Sequence, residues 1–175
     1  MKDNKKVISA IDVSQYLLSL DLERKFFTSH KMSSREDWGT NPPVEGNFRL
    51  NKLLHILQIL YYVKYGDFLF SEDMIAQKHG PVVSIVMKSF SNQLVKLKNY
   101  PRINNVYSEQ KEFISDKFNH FRDYTNHELR ELSHDDPSWQ LAWEKGFEAT
   151  LSKDSNILEY WKDFYQHVLE EIEEE

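Results

Sequence analysis

The sequence predicts a mainly α-helical fold, and three observations support this prediction. Apolar residues recur at steps of three and four, the spacing of one face of an α-helix. Glycine and proline are scarce, with five each among 175 residues, which disfavours a loop-rich all-β fold. Hydrophobic residues make up 40% of the chain and charged residues 29%, as is ordinary for a folded globule. We expect a single compact helical domain, residues 1–175, around one buried central helix.

The N-terminal part contains one well-marked helix start. Ser9-Ala-Ile-Asp12 has the pattern of a capping box and predicts a short helix that begins there. A second short helix is predicted over Leu22 to Ser29. Lys31 to Gly46 is polar and contains Asn41-Pro42-Pro43, so it is predicted to be a loop, because a residue before proline is disfavoured in the α region.

The strongest helical pattern runs from Phe48 to Lys64, where leucines occupy one face at helical spacing. Ile56, Ile59 and Tyr62 widen the apolar sector. We therefore predict that this helix is the centre of the core and is buried on more than one side. Gly66 follows at the place where a left-handed residue commonly ends a helix.

Residues 68–83 are less regular and predict an extended segment or a short β-hairpin. Met74 to His79 can form a strand. Pro81 is predicted to begin the next helix, since proline lacks only an N–H that would be unpaired at a first helical position. That helix is predicted over Val82 to Leu94.

Further helices are predicted in the second half of the chain. One runs from Ser108 to about Tyr124, and the capping box Thr125-Asn-His-Glu128 starts another that ends near Leu132. Pro137 is predicted to begin a helix that carries Trp139 and Trp143 at i and i+4. The last helix is predicted at about residues 156–173.

Composition limits the classes of function. The absence of cysteine rules out disulfides and thiolate catalysis, and it fits a reducing compartment. No secretory leader or membrane-spanning stretch is recognisable, so a cytoplasmic location is predicted. Residues 101–175 carry 8 Lys/Arg against 18 Asp/Glu, a net charge of −10. Such a charge disfavours nucleic-acid binding and suits either a basic partner or solvated helix surfaces.

The sequence contains no recognisable catalytic motif. We find no Walker loop, GxSxG or GxGxxG pattern, and Ser133-His134-Asp135 are sequence neighbours, unlike a catalytic triad. His120, His127 and His134 recur every seven residues, about 10.5 Å along a helix, which is too far for adjacent metal ligands. The chain is therefore predicted not to be an enzyme and to need no cofactor or metal.

Three segments stand out along the chain: Leu50-Asn-Lys-Leu-Leu-His55, Ala76-Gln-Lys-His-Gly-Pro-Val-Val83 and Leu132-Ser-His-Asp-Asp-Pro-Ser-Trp139. In their order and spacing they resemble motifs of the Panacea-domain family of SocA-like antitoxins. Ala10 to Leu17 also resembles the opening of the family. His55 stands where the family usually has tyrosine, and Gln77 where it usually has tryptophan. The resemblance spans about residues 8–145, and the C-terminal helix is expected to pack on this core.

The resemblance implies the antitoxin of a toxin–antitoxin system, in a family often described as phage-associated. Its partner would be a cognate toxin protein encoded next to it, which is neutralised by direct protein–protein contact. The alternative is an adaptor or regulatory protein that delivers a partner to a protease or contacts DNA. The toxin, the contact surface and the stoichiometry are not determined by the resemblance.

Five residues of these motifs are the candidates for binding the partner: His79, Gly80, Pro81, His134 and Trp139. His79-Gly-Pro is interpreted either as a structural turn before a helix or as a rigid loop that contacts the partner. His134 and Trp139 are interpreted either as a packed corner, with the tryptophans in the core, or as an exposed anchor for the partner.

Overall fold

The structure is a computed structural model that describes residues 7–23, 25–27, 47–90 and 105–174. Within these ranges the chain is mainly helical, as predicted, with one small antiparallel sheet. The helices are α1 (Ala10–Leu20), α2 (Asn47–Tyr65), α3 (Ser84–Phe90), α4 (Ser108–Phe121), α5 (Asn126–His134), α6 (Pro137–Lys145) and α7 (Ser155–Glu174). The strands are β1 (Ile75–Gln77) and β2 (Gly80–Val82).

Helix α2 is the centre of the core, which confirms the prediction. Every residue from Leu50 to Leu60 is buried, because α7, α5, β2, α3, α1 and α4 all pack against this helix. Gly66 ends it in the predicted left-handed conformation, with φ of 69°. The side chain of Gln58 also holds the irregular segment that follows, since its Oε1 accepts from Leu69 N at 2.8 Å and its Nε2 donates to Phe70 O at 3.0 Å.

The predicted β-hairpin is present, but the prediction that Pro81 begins a helix is wrong. Pro81 lies in β2 opposite Ala76, and α3 begins at Ser84. The backbone of Ala76 forms its hydrogen bonds with the chain after α6 and not with Pro81. Its N–H donates to Ala149 O and its C=O accepts from Glu148 N, both at 2.9 Å. The missing N–H of Pro81 is therefore not needed by the sheet.

The predicted start of the N-terminal helix is confirmed, with Ser9 as its N-cap. Ser9 accepts from Asp12 N at 3.1 Å and α1 begins at Ala10. The helix predicted over Leu22 to Ser29 is wrong for its described residues, which form turns. The buried carboxylate of Asp21 accepts from the backbone N–H groups of residues 25–27, and this bonding replaces a helical pattern.

Most helix starts in the second half follow the prediction. Thr125 and Glu128 form the predicted capping box of α5, and Pro137 is the first residue of α6. Helix α4 ends at Phe121, before the predicted Tyr124. The loop predicted over residues 31–46 and the end of the helix predicted to Leu94 lie outside the described residues.

Candidate functional site

The three motif segments, distant in sequence, meet at one place in the fold. His79 lies half-buried in the turn of the hairpin, and Gly80 and Pro81 open β2 and are buried. His134 is the last residue of α5, and Trp139 lies in the first turns of α6. Both α5 and β2 pack against α2, so the hairpin turn and the α5–α6 corner face the N-terminal half of the central helix.

Lys52 of α2 is the residue over which the hairpin closes. Its side chain is only 1% exposed, and its Nζ lies 4.7 Å from the centre of the Phe48 ring. A Cβ on Gly80 would overlap Lys52 Nζ and lie 2.7 Å from its Cε and 3.3 Å from His134 Nε2. Glycine is therefore required where the strand crosses the lysine, and the tips of Lys52 and His134 flank that crossing.

The electrostatics of this cluster follow from its burial. Burial, and secondarily the positive charge of Arg130, lowers the pKa of Lys52 from 10.5 to about 7. Burial, followed by the charges of Lys52 and Arg130, lowers the pKa of His134 to about 3, against an opposing hydrogen bond with the His79 backbone. His134 is thus neutral at pH 7, and its buried Nε2 has no hydrogen-bond partner among the residues that the structure describes.

Replacement of Lys52 by methionine should change how stability depends on pH. The folded-state pKa of about 7 lies below the ordinary 10.5, so between these values the unfolded chain binds more protons and the free energy of unfolding rises with pH. Between pH 7 and pH 9, we expect the free energy of unfolding of the wild-type protein to rise by about 2 kcal/mol more than that of Lys52→Met.

Urea denaturation followed by circular dichroism at both pH values measures this difference. Lys64→Met is the matched control, because Lys64 is half-exposed and Glu173 raises its pKa by a hydrogen bond. The control should show the wild-type pH slope between pH 7 and pH 9. An unchanged slope in Lys52→Met would contradict the depressed lysine pKa.

Asp136, which the sequence reasoning did not single out, joins the same corner to α2. Its Oδ2 lies 2.8 Å from His55 Nε2, and its Oδ1 accepts from Ser138 N at 3.1 Å and from Trp161 Nε1 at 2.8 Å. Ser138 Oγ also donates to its Oδ2. Burial alone would raise the pKa of Asp136, but the hydrogen bonds from His55, Ser138 and Trp161 lower it overall.

This group contains the residue types of a hydrolytic triad in a different order. In a triad the imidazole lies between the hydroxyl and the carboxylate. Here the carboxylate of Asp136 lies between His55 and Ser138, and all three side chains are no more than 1% exposed. The arrangement ties α6 to α2 and α7, and it offers no reacting surface to a substrate.

Trp139 continues the cluster towards the surface. Its ring stacks on His134 with centroids 4.0 Å apart, and it also stacks with Trp143, with centroids 6.1 Å apart. Trp139 Nε1 donates to Gln77 O at 3.1 Å, which ties α6 to β1. Trp143 is exposed, so the corner is packed at His134 and Trp139 but opens to solvent at Trp143.

A separate cavity of about 700 Å³ lies between α1, α2 and α4. Asp21, Arg49 and Arg122 are among its lining residues, whereas the five motif candidates are not. Burial lowers the pKa of Arg49 to about 10, and its guanidinium donates to Asn126 Oδ1 and Tyr124 O. The motif cluster and this cavity are therefore distinct places.

The described residues contain neither a candidate metal site nor a candidate membrane span. Within residues 7–23, 25–27, 47–90 and 105–174, no three His, Asp or Glu side chains are grouped so that they could hold a metal ion. None of the helices in these ranges combines the length and the apolar character that crossing a bilayer requires.

Comparison with known families agrees with the motifs. The family described as "Antitoxin SocA-like, Panacea domain" matches residues 50–140, just over half of the chain. No curated protein and no solved structure was found to match this chain. The matched range contains the whole cluster from Lys52 to Trp139. The chain therefore belongs to the SocA-like antitoxin family with a Panacea domain.

Proposed function

We propose that this protein is an antitoxin that neutralises a cognate toxin by direct protein–protein contact in the cytoplasm. The observation that carries the proposal is the family match over residues 50–140. The contact surface would include the hairpin turn and the α5–α6 corner, where His79, His134 and Trp139 are partly exposed. Gly80 and Pro81, which are buried, would contribute by holding the hairpin turn in place.

Expression of the neighbouring reading frame tests the proposal. Its product should arrest growth when expressed alone and should be tolerated when this chain is co-expressed. The two proteins should also co-purify and elute together in size-exclusion chromatography. Continued growth arrest at matched expression, or separate elution of the two proteins, would overturn the proposal.

The same cells distinguish masking from adaptor action. If the chain masks the toxin, an immunoblot should show an undiminished amount of toxin in the rescued cells. If the chain is instead an adaptor, the toxin should disappear during rescue and reappear when the host's ATP-dependent proteases are deleted. That second outcome would favour the alternative function.

A further inference from the structure

The end of α6 and the turn that follows it carry two aromatic side chains exposed to solvent. Trp143, in the last turn of α6, is 37% exposed, and Phe147, four residues later, is 68% exposed. We call residues 143–148 the α6 turn. An isolated exposed apolar side chain is ordinary, so the exposure alone does not indicate a binding surface.

The α6 turn is also rigidly supported. Trp143 stacks on Trp139, and Gly146 N donates to Ala142 O and Trp143 O at 3.2 Å, which closes the helix. On the other side, Glu148 N donates to Ala76 O at 2.9 Å and Glu148 Oε1 accepts from Gln77 Nε2 at 3.1 Å. The turn is held from both ends, so its exposed rings lose little conformational freedom when a partner binds.

The backbone of the turn supports the same conclusion. Glu148 has φ of 62°, and it is the one non-glycine residue with positive φ among the described residues. Such a conformation costs about 1–3 kcal/mol and persists where surrounding contacts impose it, most often at functional positions. The same residue bonds to β1 through its backbone N–H and its side chain, and the neighbouring Phe147 lies outside the core.

The charge around the rings defines the partner. Glu144 and Glu148 are exposed on either side of Phe147, against the single basic residue Lys145. They belong to the part of the chain, residues 101–175, that carries a net charge of −10. A partner segment with an apolar side chain between lysines or arginines would complement both the rings and the acids.

We propose that the α6 turn is an anchor site for the partner, with Phe147 and Trp143 contacting an apolar side chain that basic residues flank. The inference rests on the proposed function, because the partner is the toxin, and it names a surface outside the five motif candidates. Aromatic side chains on a rigid support are the residue class that most often dominates binding at an interface.

The test measures the affinity of purified variants for the purified product of the neighbouring reading frame, by isothermal titration calorimetry. Phe147→Ala should weaken binding at least tenfold without changing the melting temperature, since the ring is mostly in solvent. Ile85→Ala is the matched control, because Ile85 on α3 is 50% exposed and lies on another helix. It should bind as the wild type does.

The outcomes separate the two proposals. If the wild type binds and Phe147→Ala binds within twofold of it, the anchor site is wrong while the proposed function stands. If the wild type does not bind, the proposed function fails and the anchor site fails with it.

A second pair of variants tests the charge. Glu144→Gln with Glu148→Gln should weaken binding about fivefold and flatten its dependence on NaCl concentration, because screening weakens an attraction between acidic and basic groups. Glu170→Gln with Glu171→Gln, which removes two exposed acids of α7, is the matched control. Equal affinities for the two pairs would overturn the basic character of the partner segment.

Discussion

Asp136→Ala is expected to lower the free energy of unfolding by about 4 kcal/mol, because it leaves several buried donors without an acceptor at about 1–3 kcal/mol each. The substitution removes the carboxylate that contacts three buried residues, His55, Ser138 and Trp161. It also removes the N-cap of α6, since the carboxylate accepts from the backbone of the first helical turn. A domain of this size is stable by only about 5–15 kcal/mol, so the loss is a large share of the total.

Chemical denaturation monitored by circular dichroism measures this loss. Asp136→Asn should lose less than Asp136→Ala, because one amide oxygen can still accept from Ser138 N and Trp161 Nε1. Asp135→Ala is the neighbouring control, since Asp135 is exposed and should change stability by less than about 0.5 kcal/mol. If Asp136→Ala stayed within that range as well, the corner would not depend on this carboxylate.

Gly80→Ala is expected to cost about 3 kcal/mol, from two sources. The φ of Gly80 is 112°, which L side chains rarely adopt. The new Cβ would also overlap the end of the Lys52 side chain, which is fully buried. Either Lys52 or the hairpin must therefore shift.

Two comparisons separate these sources. Gly66 also has positive φ, but a Cβ there would meet nothing within 4 Å, so Gly66→Ala measures conformational strain alone, about 1 kcal/mol. A double-mutant cycle with Lys52→Ala removes the steric conflict, and the cost of Gly80→Ala should then shrink to the strain of its own φ, which at 112° lies outside the left-handed region. An unchanged cost in the Lys52→Ala background would show that the overlap with Lys52 does not contribute.

The helices that the sequence predicted well are those with strong local signals. Helix α2 has apolar residues at helical spacing and a glycine at its end, and α5 begins with a capping box; both lie close to their predicted positions. These signals act within a few residues along the chain, so they are readable without knowledge of the fold.

The two errors have different physical causes, one a contact between distant residues and the other a local bonding pattern that competes with helix formation. Pro81 was predicted to begin a helix, which is what its local preference allows. The structure places it in a strand because Ala76 bonds to the chain after α6, more than 70 residues away in sequence. The stretch after α1 was predicted to be helical, but there the buried Asp21 carboxylate takes up the backbone N–H groups.

The candidate site was also predicted only in part from the sequence. The sequence identified His79, Gly80, Pro81, His134 and Trp139, and the structure brings their segments together; whether they contact a partner stays a prediction. Lys52 belongs to the first motif but was not predicted to be a site residue, and neither was Asp136. Lys52 could have been found from the sequence, because it is a lysine on a helix predicted to be buried on several sides. No sequence signal pointed to the partners of Asp136.

Residue types and their spacing along the chain were enough to predict the mainly helical class, the central helix and the motifs that indicate the family. Three features are visible only in the folded chain: Lys52 is buried beneath Gly80, Asp136 bonds to His55 and Trp161, and Phe147 stays in solvent. Burial and pairing depend on which surfaces the packed helices and the hairpin cover, and that is a property of the whole fold.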